Sequence, residues 1–136
     1  FIYNEKNIKN YMVVTFDLNN LKMCNDNYGH SSGDAYIIHS AHIIETTFDR
    51  FGKCYRIGGD EFCCLIPDAA EFQIERFIQK MQQDIAILNN KNIIPTEVGI
   101  ACGYALATPD DADIEKVRER ADEMMYHNKK VLKGLI

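Results

Sequence analysis

The chain has 136 residues, enough for one domain with a single core. A formal net charge of -5 offers no basic face to a nucleic-acid polymer, and no apolar run approaches the ~20 residues needed to cross a bilayer. The five cysteines (Cys24, Cys54, Cys63, Cys64 and Cys102) show no zinc or C-x-x-C spacing and lie mostly in apolar runs, which points to reduced buried thiols in a cytoplasmic domain.

The first element is the β-branched and aromatic run Tyr11 to Phe16, a buried strand closed by Asp17. Asn19 to Asp26 reads as a short helix and Tyr28 to Gly33 as a loop, in which Ser31 or Ser32 is placed to cap the next helix. From Asp34 to Phe48, Ile37, Ala41, Ile44 and Phe48 recur at helical spacing. Lys53 to Ile57 and Glu61 to Ile66 form a hairpin through Gly58 and Gly59, read as a tight turn with positive φ. Glu71 to Leu88 is a second long amphipathic helix with Ile74, Ile78, Met81, Ile85 and Leu88 on one face. Asn89 to Pro95 is loop-like, and Glu97 to Leu106 is a strand in which Gly99 and Gly103 mark a bulge or a close backbone approach. Pro109 to Asp111 opens a last helix whose inner face is Ile114, Val117, Ala121, Met124 and Asn128. The order β-α-α-β-β-α-β-α implies an α+β domain with helices over an antiparallel sheet.

Asp17 closes the first strand, and Asp60 and Glu61 open the second arm of the hairpin. If these strands are neighbours, three carboxylates meet at one sheet end and repel one another unless a cation lies between them. Oxygen-only ligands suit Mg²⁺, above all when phosphates complete the shell. On spacing alone, Asp60 and Glu61 read equally well as polar turn residues. Lys22, Lys129 and Lys133 read equally as surface charges, Asn25 as a cap and Asp34 as a first-turn acid. His30, His39 and His42 read as structural.

Four segments in order carry a resemblance. "RIGGDEF" (Arg56 to Phe62) resembles the signature of the GGDEF domains, the diguanylate cyclases. "FDLNNLKMCNDNYGHSSGD" (Phe16 to Asp34), "ACGYA" (Ala101 to Ala105) and "RADEMMYHNKK" (Arg120 to Lys130) resemble that family's D-x-D-x-F-K-x-x-N-D-x-x-G-H-x-x-G-D segment, S-I-G-x-A strand and closing helix. The resemblance implies a palm-like, nucleotidyl-cyclase-like α+β fold with a five-stranded, mostly antiparallel sheet. It implies joining of two GTP into cyclic di-GMP with release of pyrophosphate, by two domains meeting as a homodimer, without nucleic-acid or membrane contact by the domain itself. By position, Asp17, Asp60, Glu61 and the carbonyl of Leu18 would hold two Mg²⁺ (or Mn²⁺), with Asp60 and Glu61 also counted catalytic and Glu61 helping to deprotonate the 3′-hydroxyl. Asn25 and Asp34 would read guanine, Gly58 and Gly59 would let backbone approach the nucleotide, and Lys22, Lys129 and Lys133 would hold phosphates. Arg56 is expected to make a structural or nucleotide-adjacent contact.

The sequence departs from that pattern at several points. Asn19 stands for a second Asp, Leu21 for an aromatic, and Lys133 for an Arg whose bidentate fork a lysine lacks. Asp49 and Gly52 stand where the product-inhibition R-x-x-D motif is expected, and Arg50 is one residue out of register, so inhibition there is expected to be absent. The segment before the first strand lacks the family's L-T-G-L-x-N-R pattern, so a first helix and any sensor domain are expected to be missing. A catalytically weak or inactive GGDEF module that binds GTP or a partner in a regulatory role is the alternative these departures leave open; under either reading the domain is compatible with a place in a larger, membrane-anchored protein.

Overall fold

The computed structural model describes residues 10–70 and 72–134. The expected absence of a first helix concerns residues 1–9, and Glu71 was the expected start of the second long helix; both lie outside the described residues.

Eight elements follow the expected order: β1 (Met12–Leu18), α1 (Leu21–Tyr28), α2 (His30–Phe48), β2 (Lys53–Arg56), β3 (Glu61–Ile66), α3 (Ile74–Asn90), β4 (Ile100–Leu106) and α4 (Ile114–Leu132). The α+β class holds, but the described sheet has four strands rather than five, in the order β2-β3-β1-β4 and antiparallel throughout. The segment from Asn89 to Pro95, one place where a fifth strand could lie, carries none: Asn89 and Asn90 end α3 and the rest is turn, bend and coil.

β1 is central and buried along its whole length, as its continuous apolar run requires. Strand alternation sends Met12, Val14, Phe16 and Leu18 to one face, where they form the larger core with residues of α1, α2 and α3. Val13 goes to the other face with Cys63, Leu65 and Ala105, where Val117 and Ala121 of α4 cover them. Thr15 and Asp17 share that parity. The stripe Val117, Ala121, Met125, Lys129 on α4 therefore runs down the sheet toward the acidic end of β1.

Gly103 sets how closely α4 lies on the sheet. A Cβ there would fall 2.1 Å from the Ala121 carbonyl oxygen and 2.3 Å from the Met125 nitrogen. Here the close approach expected from glycine in a strand is realised. Asn128 then reaches the sheet edge and accepts the Cys102 N–H at 2.9 Å.

Several boundaries differ from expectation. α2 starts at His30, so the expected loop shrinks to Gly29 alone, at φ 89. That left-handed glycine ends α1 and starts α2, and no serine caps the helix. The buried face of α2 is Tyr36, Ser40, Ile43, Ile44, Thr47 and Phe48, while Ile37 and Ala41 lie at its margin. On α4, Met125 is buried and Met124 exposed, a rotation of one residue from the expected stripe. β4 begins at Ile100, three residues later than expected. Neither Gly58 nor Gly59 has positive φ, because four residues rather than two join Arg56 to Glu61, and the tight-turn geometry is not needed. All five cysteines are free; Cys54 is half-buried and the other four are buried. No helix among the described residues is long and apolar enough to cross a membrane.

Candidate active site

β1 and β3 pair with Asp17 directly opposite Glu61. The Leu18 N–H donates to the Asp60 carbonyl at 2.8 Å, which makes the neighbouring Asp17–Glu61 pair a non-hydrogen-bonded one. Side chains in such pairs stand closest, and like charges directly opposite are destabilising. Asp60 sits at the end of the hairpin turn and completes the group. One carboxylate oxygen from each of Asp17, Asp60 and Glu61 lies within 4.8 Å of the others. The register thus brings Asp17 to a pair of acids far from it in sequence.

The electrostatics follow from that crowding. Asp17 is 3% exposed. Its Oδ2 accepts from Lys129 Nζ at 3.1 Å, while its buried Oδ1 has no hydrogen-bond partner. Burial raises the Asp17 carboxyl above its ordinary range; the Lys129 hydrogen bond opposes this and the Asp60 charge adds to it. Burial also raises Glu61, followed by the charges of Asp17, Asp122 and Asp60, with Arg118 offsetting them in part. A buried carboxylate oxygen without a donor, beside two more carboxylates, fits a cation better than it fits a proton-free apo state. The donor set is all oxygen, which suits Mg²⁺ or Mn²⁺.

The remaining candidates surround this cluster unequally. Lys129 points into it, and the Lys133 charge also acts on Asp17. Lys22 is exposed on the first turn of α1. Asn25 packs its side chain over Gly33, where a Cβ would fall 1.6 Å from Asn25 Oδ1. Asp34 follows Gly33 on α2 and is exposed, one residue beyond the glycine that Asn25 covers. Gly58 and Gly59 are exposed, and a Cβ on either would meet nothing within 4 Å. Arg56 folds over the turn and donates to the carbonyls of Gly58 (3.0 Å) and Gly59 (2.9 Å), the structural contact expected of it.

His39 and His42 line a groove that also holds Asp84, but Asp84 pairs with Lys80 at 2.8 Å. Among the described residues, the acidic triad is the only cluster of three metal-capable side chains. At Gly52 a Cβ would fall 2.0 Å from the Leu65 carbonyl oxygen, so the position where the inhibitory motif has Asp is closed to a side chain.

Sequence reasoning missed Tyr36. It is fully buried, and its hydroxyl donates to the Asn19 carbonyl at 2.6 Å and accepts the Gly99 N–H at 3.0 Å. Its one signal was a large aromatic two residues after Asp34, beside the apolar stripe rather than in it.

An antiparallel sheet with helices on both faces and an acidic triad where β1 meets a Gly-Gly-Asp-Glu turn defines a nucleotidyl-cyclase-like class of domain. The profile described as "Diguanylate cyclase, GGDEF domain" matches residues 2–133. The chain belongs to the GGDEF family.

Its relatives include the diguanylate cyclase DgcN of Escherichia coli K12, 31% identical over 123 residues, covering 89% of this chain and 30% of that protein. The diguanylate cyclase DgcS of Shewanella oneidensis is 28% identical over 121 residues, covering 86% of this chain and 38% of that protein. The chain thus spans 30% of the first of these relatives and 38% of the second. Among solved structures, the GGDEF domain of DgcB from Caulobacter crescentus, in complex with c-di-GMP, superposes with a TM-score of 0.77 at 23% identity, covering 88% of this chain and 72% of that one. An EAL/GGDEF domain protein from M. capsulatus superposes at 0.75 with 25% identity, covering 94% and 83%.

Proposed function

We propose that residues 1–136 form one GGDEF domain and that it is a diguanylate cyclase, condensing two GTP into cyclic di-GMP with release of pyrophosphate. The observation that carries this reading is the triad of Asp17, Asp60 and Glu61, with the orphaned Asp17 Oδ1 at its buried end. Asp17, Asp60, Glu61 and the Leu18 carbonyl would hold two Mg²⁺ or Mn²⁺. The bound cations would lower the pKa of the attacking 3′-hydroxyl and neutralise charge on the departing pyrophosphate.

This chain's own groups supply the rest. Glu61, at the edge of the site, would help take the 3′-hydroxyl proton. Lys129 turns from Asp17 to the triphosphate, joined by Lys133 and Lys22 as point charges. Asn25 and Asp34 read the guanine edge, because an ionised Asp only accepts hydrogen bonds and guanine presents N–H donors where adenine presents an acceptor. The open face over Gly58 and Gly59 lets the sugar and phosphate approach backbone. One domain holds one GTP, so turnover needs a homodimer with the two sites facing. The closed position at Gly52 supports the absence of product inhibition at the usual motif.

Incubation of the full-length protein with GTP and Mg²⁺, followed by chromatography, is expected to yield cyclic di-GMP and pyrophosphate. Binding of GTP without turnover, unchanged by Glu61→Gln, would instead identify a regulatory module. ATP consumed as readily as GTP would remove the roles given to Asn25 and Asp34. Gly33→Ala displaces only the end of the flexible Asn25 side chain, so the melting temperature should hardly move. The KM for GTP should rise roughly tenfold, the scale of one misplaced specificity contact. Steady-state kinetics beside a thermal melt separate the two effects.

A further inference from the structure

We propose that Tyr36 is a positioning residue for the cation site, holding the turn from Leu18 to Asn20 through its hydroxyl. The inference rests on the reading that a divalent cation sits among Asp17, Asp60, Glu61 and the Leu18 carbonyl.

The turn is held in a costly conformation. Asn20 has φ 60, the left-handed region, which Asn tolerates better than most residues but which still costs about 1 kcal/mol or more. Such a conformation persists only when its surroundings over-determine it. Tyr36 supplies that constraint. Its hydroxyl proton goes to the Asn19 carbonyl at 2.6 Å, with the Gly99 carbonyl a longer second acceptor at 3.1 Å. The hydroxyl oxygen accepts the Gly99 N–H at 3.0 Å, and the Asn19 N–H donates to the Gly99 carbonyl at 2.8 Å. One phenol thus joins the end of β1 to the segment entering β4.

The anchor is rigid. The ring is 0% exposed and belongs to the main core with Leu18, Leu21, Cys24, Val98 and Ile100. Burial pushes the phenol up to about 12, so it remains a neutral donor across the working pH range. Tyr36 also lies two residues beyond Asp34 on α2. A single helix therefore orients the candidate guanine reader and the turn that carries the Leu18 carbonyl.

The test compares Tyr36→Phe with Thr47→Val in the full-length protein. Thr47 lies on the same helix, is buried, and donates to the Ile43 carbonyl at 2.7 Å, remote from the turn. Both variants remove one buried hydroxyl and both should lower the melting temperature. Mn²⁺ binding, read by electron paramagnetic resonance without nucleotide, separates positioning from mere stability. Tyr36→Phe is expected to weaken Mn²⁺ affinity by about tenfold, the lower end of what outer-shell partners of a metal contribute. Thr47→Val should leave it unchanged. Amide exchange should show the Gly99 N–H losing protection only in Tyr36→Phe. Equal Mn²⁺ affinity in Tyr36→Phe and the parent, or an equal loss in both variants, overturns the inference. Mn²⁺ binding that survives Asp17→Asn in the parent chain overturns the metal-site reading itself, and this inference with it.

Discussion

Asp17→Asn is expected to lower cyclase turnover by more than about 100-fold, the upper end of what outer-shell substitutions around a metal cost, and at the same time to stabilise the metal-free protein. Asn keeps the volume and one acceptor for Lys129 but removes a charge buried opposite Glu61 and beside Asp60. Relief of that repulsion should be worth about 1 kcal/mol at neutral pH, in the range typical of changes that trade function for stability, or about 4 °C in a domain of this size.

The pH dependence gives the sign independently. Asp17 and Glu61 both have raised proton affinity in the folded state. Their protonated forms therefore favour folding. That contribution is fully present below the ordinary carboxylate pKa of about 4 and is lost as pH rises through the higher folded values. The metal-free parent should lose melting temperature across that window, and Asp17→Asn should flatten the loss. Mg²⁺ replaces the protons, so it should stabilise the parent more at pH 7 than at pH 5 and stabilise Asp17→Asn little at either. Calorimetric melts with and without Mg²⁺ at the two pH values check all four outcomes.

The second large effect is structural. Gly103→Ala is expected to cost about 3 kcal/mol or more, at the top of the range for overpacking, because the atoms in the way are backbone. The Ala121 carbonyl and the Met125 nitrogen cannot turn aside as a side chain would. The whole of α4 must lift from β1 and β4, and Lys129 moves away from Asp17 with it. Denaturant midpoints should fall sharply, and residual activity in the folded fraction should fall too. Gly58→Ala is the counterpart: its Cβ meets nothing within 4 Å, and stability should stay within about 0.5 kcal/mol of the parent.

The elements that matter most for chemistry were legible because they rest on short-range signals. The short β-branched run before Asp17 reads as a strand, and the hairpin places Asp60 and Glu61 at a strand end. What composition and spacing left open was the partner of each strand; register, a tertiary property, decides that Asp17 faces Glu61. Helix faces were harder to read. On α2 the apolar letters Ile37 and Ala41 drew attention from Tyr36 and Thr47, which are buried because their hydroxyls find backbone carbonyls. On α4 an i, i+4 stripe carries Met125 inward, where an average period of 3.6 chose Met124. The Gly-His-Ser-Ser-Gly stretch looked like a loop because four of its five residues favour turns, yet a single left-handed Gly29 suffices to join two helices.

The central claim is that the ends of β1 and β3 trap divalent cations against a purine triphosphate. A crystal of the full-length protein grown with Mn²⁺ and a non-hydrolysable GTP analogue tests it most directly, through anomalous scattering. The account predicts manganese peaks bounded by the carboxylates of Asp17, Asp60 and Glu61 and the Leu18 carbonyl. Bound nucleotide with no manganese among those groups would contradict it.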